Sequence, residues 1–503
     1  MLRCAVSLWL LTLLLAAADG QTPGDYYQEP YRPQFHFTPE RNWMNDPNGL
    51  VYYQGEYHLF YQYNPFGNEW GHMSWGHAVS TDLLHWRHLP VALAEENGVM
   101  IFSGSAVVDR DNTSGLCRNP DPKDKSCLVA IYTGHTERNQ SQHIAVSNDR
   151  GRTWTKYAGN PVLDIGYKDF RDPKVIWHEA TKKWVMVVSL AREQKVRFYG
   201  SPDLKKWELL SEFGGAGVAD REVQWECPDL FALPVDGKAG KKKWVLIVNV
   251  NPGGVAGGSG GQYFIGDFDG RRFTNDNPPA RKLFLDYGKD FYAAVTFSDI
   301  PQSDGRRILM GWMSNWQYAG KEPTSPWRTV QSVPRVLSLE KFSDGLRLVQ
   351  HPVTELQRLR DRHFEKPEQV SGDALEIIAE FQTGTGRQPL IRLVSGPHQA
   401  TIIGYDAATE RLFIDRSRSG QTDFDPNFSG TREAPLRLRR QRLKLRVLVD
   451  RSSVEIFSAD GQVAVTERIF PLNKLQTVEI VAAEHQARCV AFDAWQLKSV
   501  WRK

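Results

Sequence analysis

Between about residues 35 and 340 the chain repeats one pattern of apolar and polar positions. Apolar runs that follow a polar turn occur at 56–63, 127–133, 183–190, 243–250 and 307–314, roughly 55 to 72 residues apart. Ahead of each lies a shorter, mixed run. In order these are Asn45-Asp46-Pro47-Asn48, Phe102-Ser103-Gly104-Ser105, Phe170-Arg171-Asp172-Pro173, Trp225-Glu226-Cys227-Pro228-Asp229 and Asp290-Phe291-Tyr292-Ala293. A Ser-x-Asp-x-x-x-Trp turn also recurs. It appears at Ser80, Asp82 and Trp86, with one extra residue at Ser147, Asp149 and Trp154, and again at Ser201, Asp203 and Trp207. A degenerate copy runs from Gly266 to Phe273. No long stretch of 3.6-residue period interrupts these units, so helices are nearly absent. Five strand-turn-strand units predict a five-bladed β-propeller over 21–350. In a propeller the innermost strand of each blade lines the central channel. The five leading runs, if they are those strands, meet at one mouth.

The pattern changes after residue 350. A charged stretch at 355–362, able to form a short helix, is broken by Pro367 and Gly372, and 351–372 reads as a linker. Short alternating strands follow at 374–381, 390–394, 401–404, 411–414, 443–449, 454–457 and 475–482, which predict a β-sandwich over 373–503. The basic run 437–446 is no polyanion site on this reading. Leu443, Leu445 and Val447 alternate with Lys444 and Arg446, as in a strand with one wet face. At the other end, Arg3, the apolar run 5–18 and Ala18-Asp19-Gly20 read as a secretory signal peptide over 1–20, leaving Gln21 first and the product secreted and extracellular.

Composition narrows the partners. The 62 Lys and Arg against 59 Asp and Glu leave a net charge of +3, which gives no electrostatic case for nucleic acid or a membrane surface. The 16 Trp, 17 Tyr and 24 Phe suit strands, and they also suit sugars, whose flat faces pack on rings. Cys117 and Cys127 share one polar loop and are a disulfide candidate, while Cys227 and Cys489 are expected to be free and partly buried. Asn112, Asn139 and Asn427 head glycosylation sequons. No Cys and His spacing suggests zinc, and the Gly-rich run 251–261 lacks the Lys-Ser/Thr of a P-loop. No metal or cofactor is inferred, and the oligomeric state stays open.

Three of the five leading runs supply the candidate acids: Asp46, Asp172 and Glu226. Two carboxyl groups flanking a scissile bond are the minimum for glycoside hydrolysis, one to protonate the leaving oxygen and one to attack or to activate water. A third can stabilise an oxocarbenium-like charge. Arg171, next to Asp172, is expected to keep that acid ionised. Glu226, between Trp225 and Cys227, is expected to be poorly solvated, with its pKa raised as a general acid requires.

At these residues the chain resembles glycoside hydrolase family 32, the invertases, exo-inulinases and levanases. The resemblance lies in Trp43-Met44-Asn45-Asp46-Pro47-Asn48-Gly49, Phe60-Tyr61-Gln62-Tyr63-Asn64-Pro65, Trp75-Gly76-His77-Ala78, Phe102-Ser103-Gly104-Ser105, Phe170-Arg171-Asp172-Pro173, Trp225-Glu226-Cys227-Pro228-Asp229-Leu230 and Gly311-Trp312-Met313-Ser314-Asn315-Trp316. It extends to Asp450-Arg451-Ser452-Ser453-Val454-Glu455-Ile456-Phe457 near the C-terminus. It implies a propeller followed by a sandwich and a retaining displacement at fructosyl C2. Asp46 would be the nucleophile, Glu226 the acid and base, and Asp172 the stabiliser of the transition state. Trp43, Asn45, Gln62, Trp70, Phe102, Ser103, Arg171 and Trp316 would bind the fructose. The run 102–107, the Gly-rich loop and 290–294 look most like the levanase and exo-inulinase branch, which implies a fructan or sucrose substrate. An invertase acting mainly on sucrose and a fructosyltransferase of the same fold are the alternatives.

Overall fold

The computed structural model describes residues 26–118, 123–474, 476–481 and 487–501; the expected signal peptide lies outside them. Five blades of four antiparallel strands form the N-terminal ring. Their inner strands are Asn42–Tyr53, Met100–Asp109, Phe170–His178, Gln224–Val235 and Tyr292–Thr296. The predicted apolar runs are the second strands: Glu56–Tyr63, Cys127–His135, Lys183–Leu190, Lys238–Asn251 and Arg307–Met313. They are buried on both faces, which is why they read as continuous apolar runs rather than alternating ones. The ring closes where Trp327–Arg328 pairs in parallel with Asn42 and Trp43, and Gln331 Nε2 donates to Asn45 O at 2.7 Å.

The Ser-x-Asp-x-x-x-Trp repeat is the turn between third and fourth strands. Asp82 Oδ1 accepts the backbone N–H of Leu84 (3.0 Å) and His85 (2.9 Å), while the Trp86 indole donates to Leu83 O at 3.1 Å. Asp203 does the same for Lys205 and Lys206, with Trp207 on Leu204 O. A short side chain that accepts from its own turn makes the motif a local structural device, so it recurs with the blades and carries no catalytic role.

A second repeat is visible only in the strand register. At the level of the mouth each inner strand carries one residue more than its neighbour pairs with, a β-bulge; Asn42–Tyr53 has a second one further on, where Gly49 and Leu50 face Leu59. Asn45 and Asp46 together face Gln62, and Ser103 is the extra residue between Phe102 and Gly104. Asp172 and Pro173 face Val188, Cys227 and Pro228 face Val248, and Ala293 and Ala294 face Gly311. Asp172, Cys227 and Ala293 take left-handed backbone with φ of 66°, 44° and 51°. Gly104 is required in its bulge, because a Cβ there would lie 2.1 Å from Ile131 O.

The C-terminal domain is a sandwich of two six-stranded sheets over an apolar core that includes Leu375, Ile377, Ile391, Leu393, Leu445 and Val447. The linker expected over 351–372 is instead built into the structure. After a short 3-10 helix, Thr354–Leu359, the strand Arg360–Phe364 pairs with Arg488–Leu497 at the sheet edge. Its charges hid it in the sequence, since an edge strand needs few apolar residues. Arg360 binds Glu376 at 2.7 Å and lies 3.8 Å from the centre of the Trp495 ring. The basic strand Arg442–Asp450 places Leu443, Leu445 and Val447 in the core, and Arg446 pairs with Glu376 at 2.7 Å.

Buried charges tie the two domains together. Arg335 of blade five reaches Asp286 (2.8 Å) and Glu455 (2.7 Å), and Arg468 of the sandwich reaches Glu322 (3.2 Å). His36, on the segment leading into the ring, sits between Asp450 (2.8 Å) and Glu455 (3.0 Å) with no solvent exposure. Burial alone would depress its pKa, but the two carboxylates more than offset this and the net shift is upward. The native state therefore holds this proton more tightly than the unfolded chain. Its contribution is complete below the ordinary histidine pKa of about 6.5 and is lost as pH rises through the raised native value. His36→Ala is expected to destabilise the protein by about 3 kcal/mol at pH ~6. Thermal unfolding between pH ~6 and ~9 should show a loss of stability in the parent chain that the variant lacks. An identical pH dependence in both would remove His36 from this role.

Candidate active site

The bulges gather the site at one mouth of the channel. A pocket of about 240 Å³ is lined by Asn45, Asp46, Gln62, Trp70, Phe102, Ser103, Arg171, Asp172, Glu226 and Trp316. Every expected catalytic residue is in its wall. So is every expected binding residue except Trp43. That residue is buried behind the wall, where its indole N–H donates to Asn45 Oδ1 at 2.8 Å and its ring stacks on Trp316. An indole only donates, so this bond orients the Asn45 amide and turns Nδ2 toward Asp46 Oδ1 at 3.0 Å.

Asp46 accepts two further contacts on Oδ2, from Ser103 Oγ at 2.6 Å and from the Cys227 thiol at 3.4 Å. Burial pushes its pKa up, and the hydrogen bonds of Ser103 and Asn45 oppose this. The Cys227 sulfur also lies 3.6 Å from Asp172 Oδ2, so the thiol stands between the two carboxyl groups. Burial and the surrounding acids push the thiol well up, so it stays protonated and acts as a donor. Asp172 is held at both ends: its backbone N–H donates to Thr133 Oγ1 at 2.9 Å and its Oδ2 accepts the Cys227 N–H at 2.9 Å.

Two electrostatic expectations change. Arg171 does not bond Asp172. Its guanidinium turns to Glu226 (3.1 Å), Asp169 (3.0 Å), Gln140 (3.2 Å) and Gln224 (2.6 Å). The Asp172 pKa is raised, chiefly by burial; Arg171 opposes this, while Glu226 and Asp46 add to it. Glu226, for its part, is not enclosed by its sequence neighbours. Successive strand residues face opposite ways, and Trp225 points into the blade, donating to Val218 O at 2.7 Å. Glu226 faces the channel, half-buried, between Arg171 and the hydroxyl of Tyr292, which donates to its other oxygen. Tyr292 is the contact that reasoning from acids alone missed. Its signal was the fifth leading run, which the repeat had already placed at this mouth.

Deeper in the channel a second, smaller space shares Ser103 and Asp172 with this pocket and has Lys174 and Cys227 in its wall. Lys174 crosses the channel from blade three, donating to Thr296 O at 2.6 Å with Asp229 Oδ1 at 3.4 Å. Asn249 Nδ2 donates to Cys227 O at 2.9 Å beside it. Away from the site, Cys117 and Cys127 form the expected disulfide, and Cys227 and Cys489 are free.

Comparison with known proteins matches residues 36–352 to the glycosyl hydrolases family 32 N-terminal domain and residues 346–496 to the family 32 C-terminal domain. A levanase of Bacillus subtilis is 52% identical over 98% of this chain and 74% of its own length. An extracellular exo-inulinase of Aspergillus niger is 39% identical over 98% of this chain and 99% of its own. The crystal structure of an exo-inulinase from Aspergillus awamori superposes with a TM-score of 0.85 at 37% identity, covering 94% of this chain and 100% of that one. A ring of five blades presenting three carboxyl groups at one mouth, a packed β-sandwich and two family matches that together span residues 36–496 lead to one conclusion: the protein is a glycoside hydrolase of family 32.

Proposed function

We propose that the protein is a secreted β-fructofuranosidase that removes terminal fructosyl units from β-fructans, and also cleaves sucrose, by a retaining double displacement. The observation that carries this reading is the small pocket with three acids in its wall. At about 240 Å³ it falls below the roughly 300–1,000 Å³ of ordinary small-molecule sites, a size suited to one sugar ring. Levanase and exo-inulinase relatives support fructan as the substrate class, and the extracellular exo-inulinase, together with the disulfide, supports an oxidising, extracellular setting.

On this reading Asp46 attacks C2 of the terminal fructosyl unit as the bond from C2 to the leaving oxygen breaks. Glu226 gives its proton to that oxygen. Water then attacks C2, Glu226 takes a proton from it, and Asp46 leaves as a carboxylate. Asp172 faces the positive charge that develops on the ring, held rigid by Thr133 and Cys227. Asn45 and Ser103 hold Asp46 in place for in-line attack.

Initial rates on levan, inulin and sucrose, with products identified, test the assignment. Free fructose should be the first and dominant product of all three, whereas fructo-oligosaccharide dominating on concentrated sucrose would overturn the hydrolase reading. Glu226→Gln should lose about 10³-fold on sucrose and recover substantially on a fructoside whose leaving group needs no proton; equal losses on both would remove Glu226 from the acid role. Asp46 must be ionised to attack, and its raised pKa places the acid limb of kcat/KM above the ordinary aspartate value of about 3.9. Ser103→Ala removes a donor that favours the carboxylate, so that limb should move to higher pH, and an unmoved limb would contradict the assignment.

A further inference from the structure

A second, larger cavity opens at the opposite end of the ring, about 420 Å³ against about 240 Å³ at the catalytic mouth. It lies where the inner strands of blades two, three and five finish. Ile176 lines it four residues beyond Asp172, about 13 Å further along the strand at ~3.3 Å per residue. Lys174, which reaches Thr296 O and Asp229, lies between the two openings.

The walls combine an aromatic plate with hydrogen-bonding groups of both kinds. Trp177 is 37% exposed, packs edge-on against Trp184 at 5.1 Å, and donates to Glu179 at 2.8 Å. The other wall holds the ion pair of Arg110 and Asp299 at 3.0 Å. Beside it, Ser298 is only 9% exposed, and its hydroxyl has no hydrogen-bond partner in the protein. Asn112 stands next to this cavity, but its amide is bonded at both ends to the Cys117 backbone.

Charge narrows the ligand. Asp109, Asp111, Glu179 and Asp299 outnumber Arg110 and Arg307 around the cavity, which disfavours a polyanion. Among the described residues no group of three or more His, Cys, Asp or Glu side chains is placed to hold a metal ion. A neutral polyhydroxylated chain meets these walls well. Its hydroxyls both donate and accept, and its apolar ring faces can lie on Trp177.

We infer that this cavity binds an internal stretch of a fructan chain, keeping polymer at the enzyme while its ends enter the catalytic pocket. The inference rests on the fructan reading above. Retention of this kind raises the local concentration of chain ends without any new contact at the reacting carbon.

Affinity electrophoresis through a gel containing levan tests it, using an Asp46→Asn chain so that the polymer survives. That chain should be retarded, and adding Trp177→Ala or Arg110→Ala should weaken retardation about tenfold, the equivalent of one ~1.4 kcal/mol contact. In the active enzyme the same two substitutions should raise KM for levan and leave sucrose hydrolysis unchanged. Retardation that neither substitution alters, in an enzyme that still releases fructose from levan, would overturn the second site and leave the catalytic reading standing. Equal losses on sucrose and levan would also overturn it. Failure of the unsubstituted enzyme to release fructose from any fructan would instead remove the catalytic reading and this inference with it.

Discussion

The one constraint on which this active site depends is a mismatch of one residue, repeated five times. An inner strand that paired perfectly with its neighbour would send alternate side chains into the channel and the rest into the blade. The bulge breaks that alternation at one level of the ring. Asp46 and Asn45 share a single partner position, Ser103 is extruded toward Asp46, and Asp172 and Cys227 take left-handed backbone. Left-handed backbone costs a non-glycine residue about 1–2 kcal/mol, and the surrounding hydrogen bonds hold it. The Thr133 and Cys227 contacts to Asp172 are such bonds. Five strands distant in sequence thus present polar atoms to a space no wider than one sugar.

Buried charge is the second theme. Three acids in one pocket repel one another, and burial penalises each. The protein answers with donors placed around them: Ser103, Asn45 and the Cys227 thiol on Asp46, Arg171 and Tyr292 on Glu226. Deeper in the channel Lys174 and Asp229 form a buried pair of opposite charges. At the domain junction Arg335, Arg468, Glu322 and Glu455 form further pairs without solvent contact. Such pairs contribute little net stability compared with apolar packing, but breaking one is costly. Here they join blade five to the sandwich.

Much of this was legible in the chain. The repeat spacing identified five blades, and the position of each leading run within its unit placed Asp46, Ser103, Asp172, Glu226 and Tyr292 on one mouth. The failures share a cause. Arg171 was paired with Asp172, and Glu226 with Trp225, because they are adjacent in sequence. Trp225 and Glu226 face opposite ways along their strand, whereas Arg171 and Asp172 both line the pocket beside the bulge and the long guanidinium still turns to Glu226, Gln224, Gln140 and Asp169. Trp43 was placed in the wall because its motif neighbours are there, yet it packs behind them. The edge strand Arg360–Phe364 passed as a linker because its pairing partner, Arg488–Leu497, is more than a hundred residues away.

The sequence by itself determined the period of the blades, the turn chemistry after the third strand of the first four and the three acids that the leading runs bring forward. These are local matters, written in propensity and spacing. Tertiary structure alone decided which donor meets which acid, that Lys174 reaches from blade three to blade five within the channel, and that a second cavity opens at its far end. Each of these depends on side chains from different blades arriving at one point, and no local pattern records that convergence.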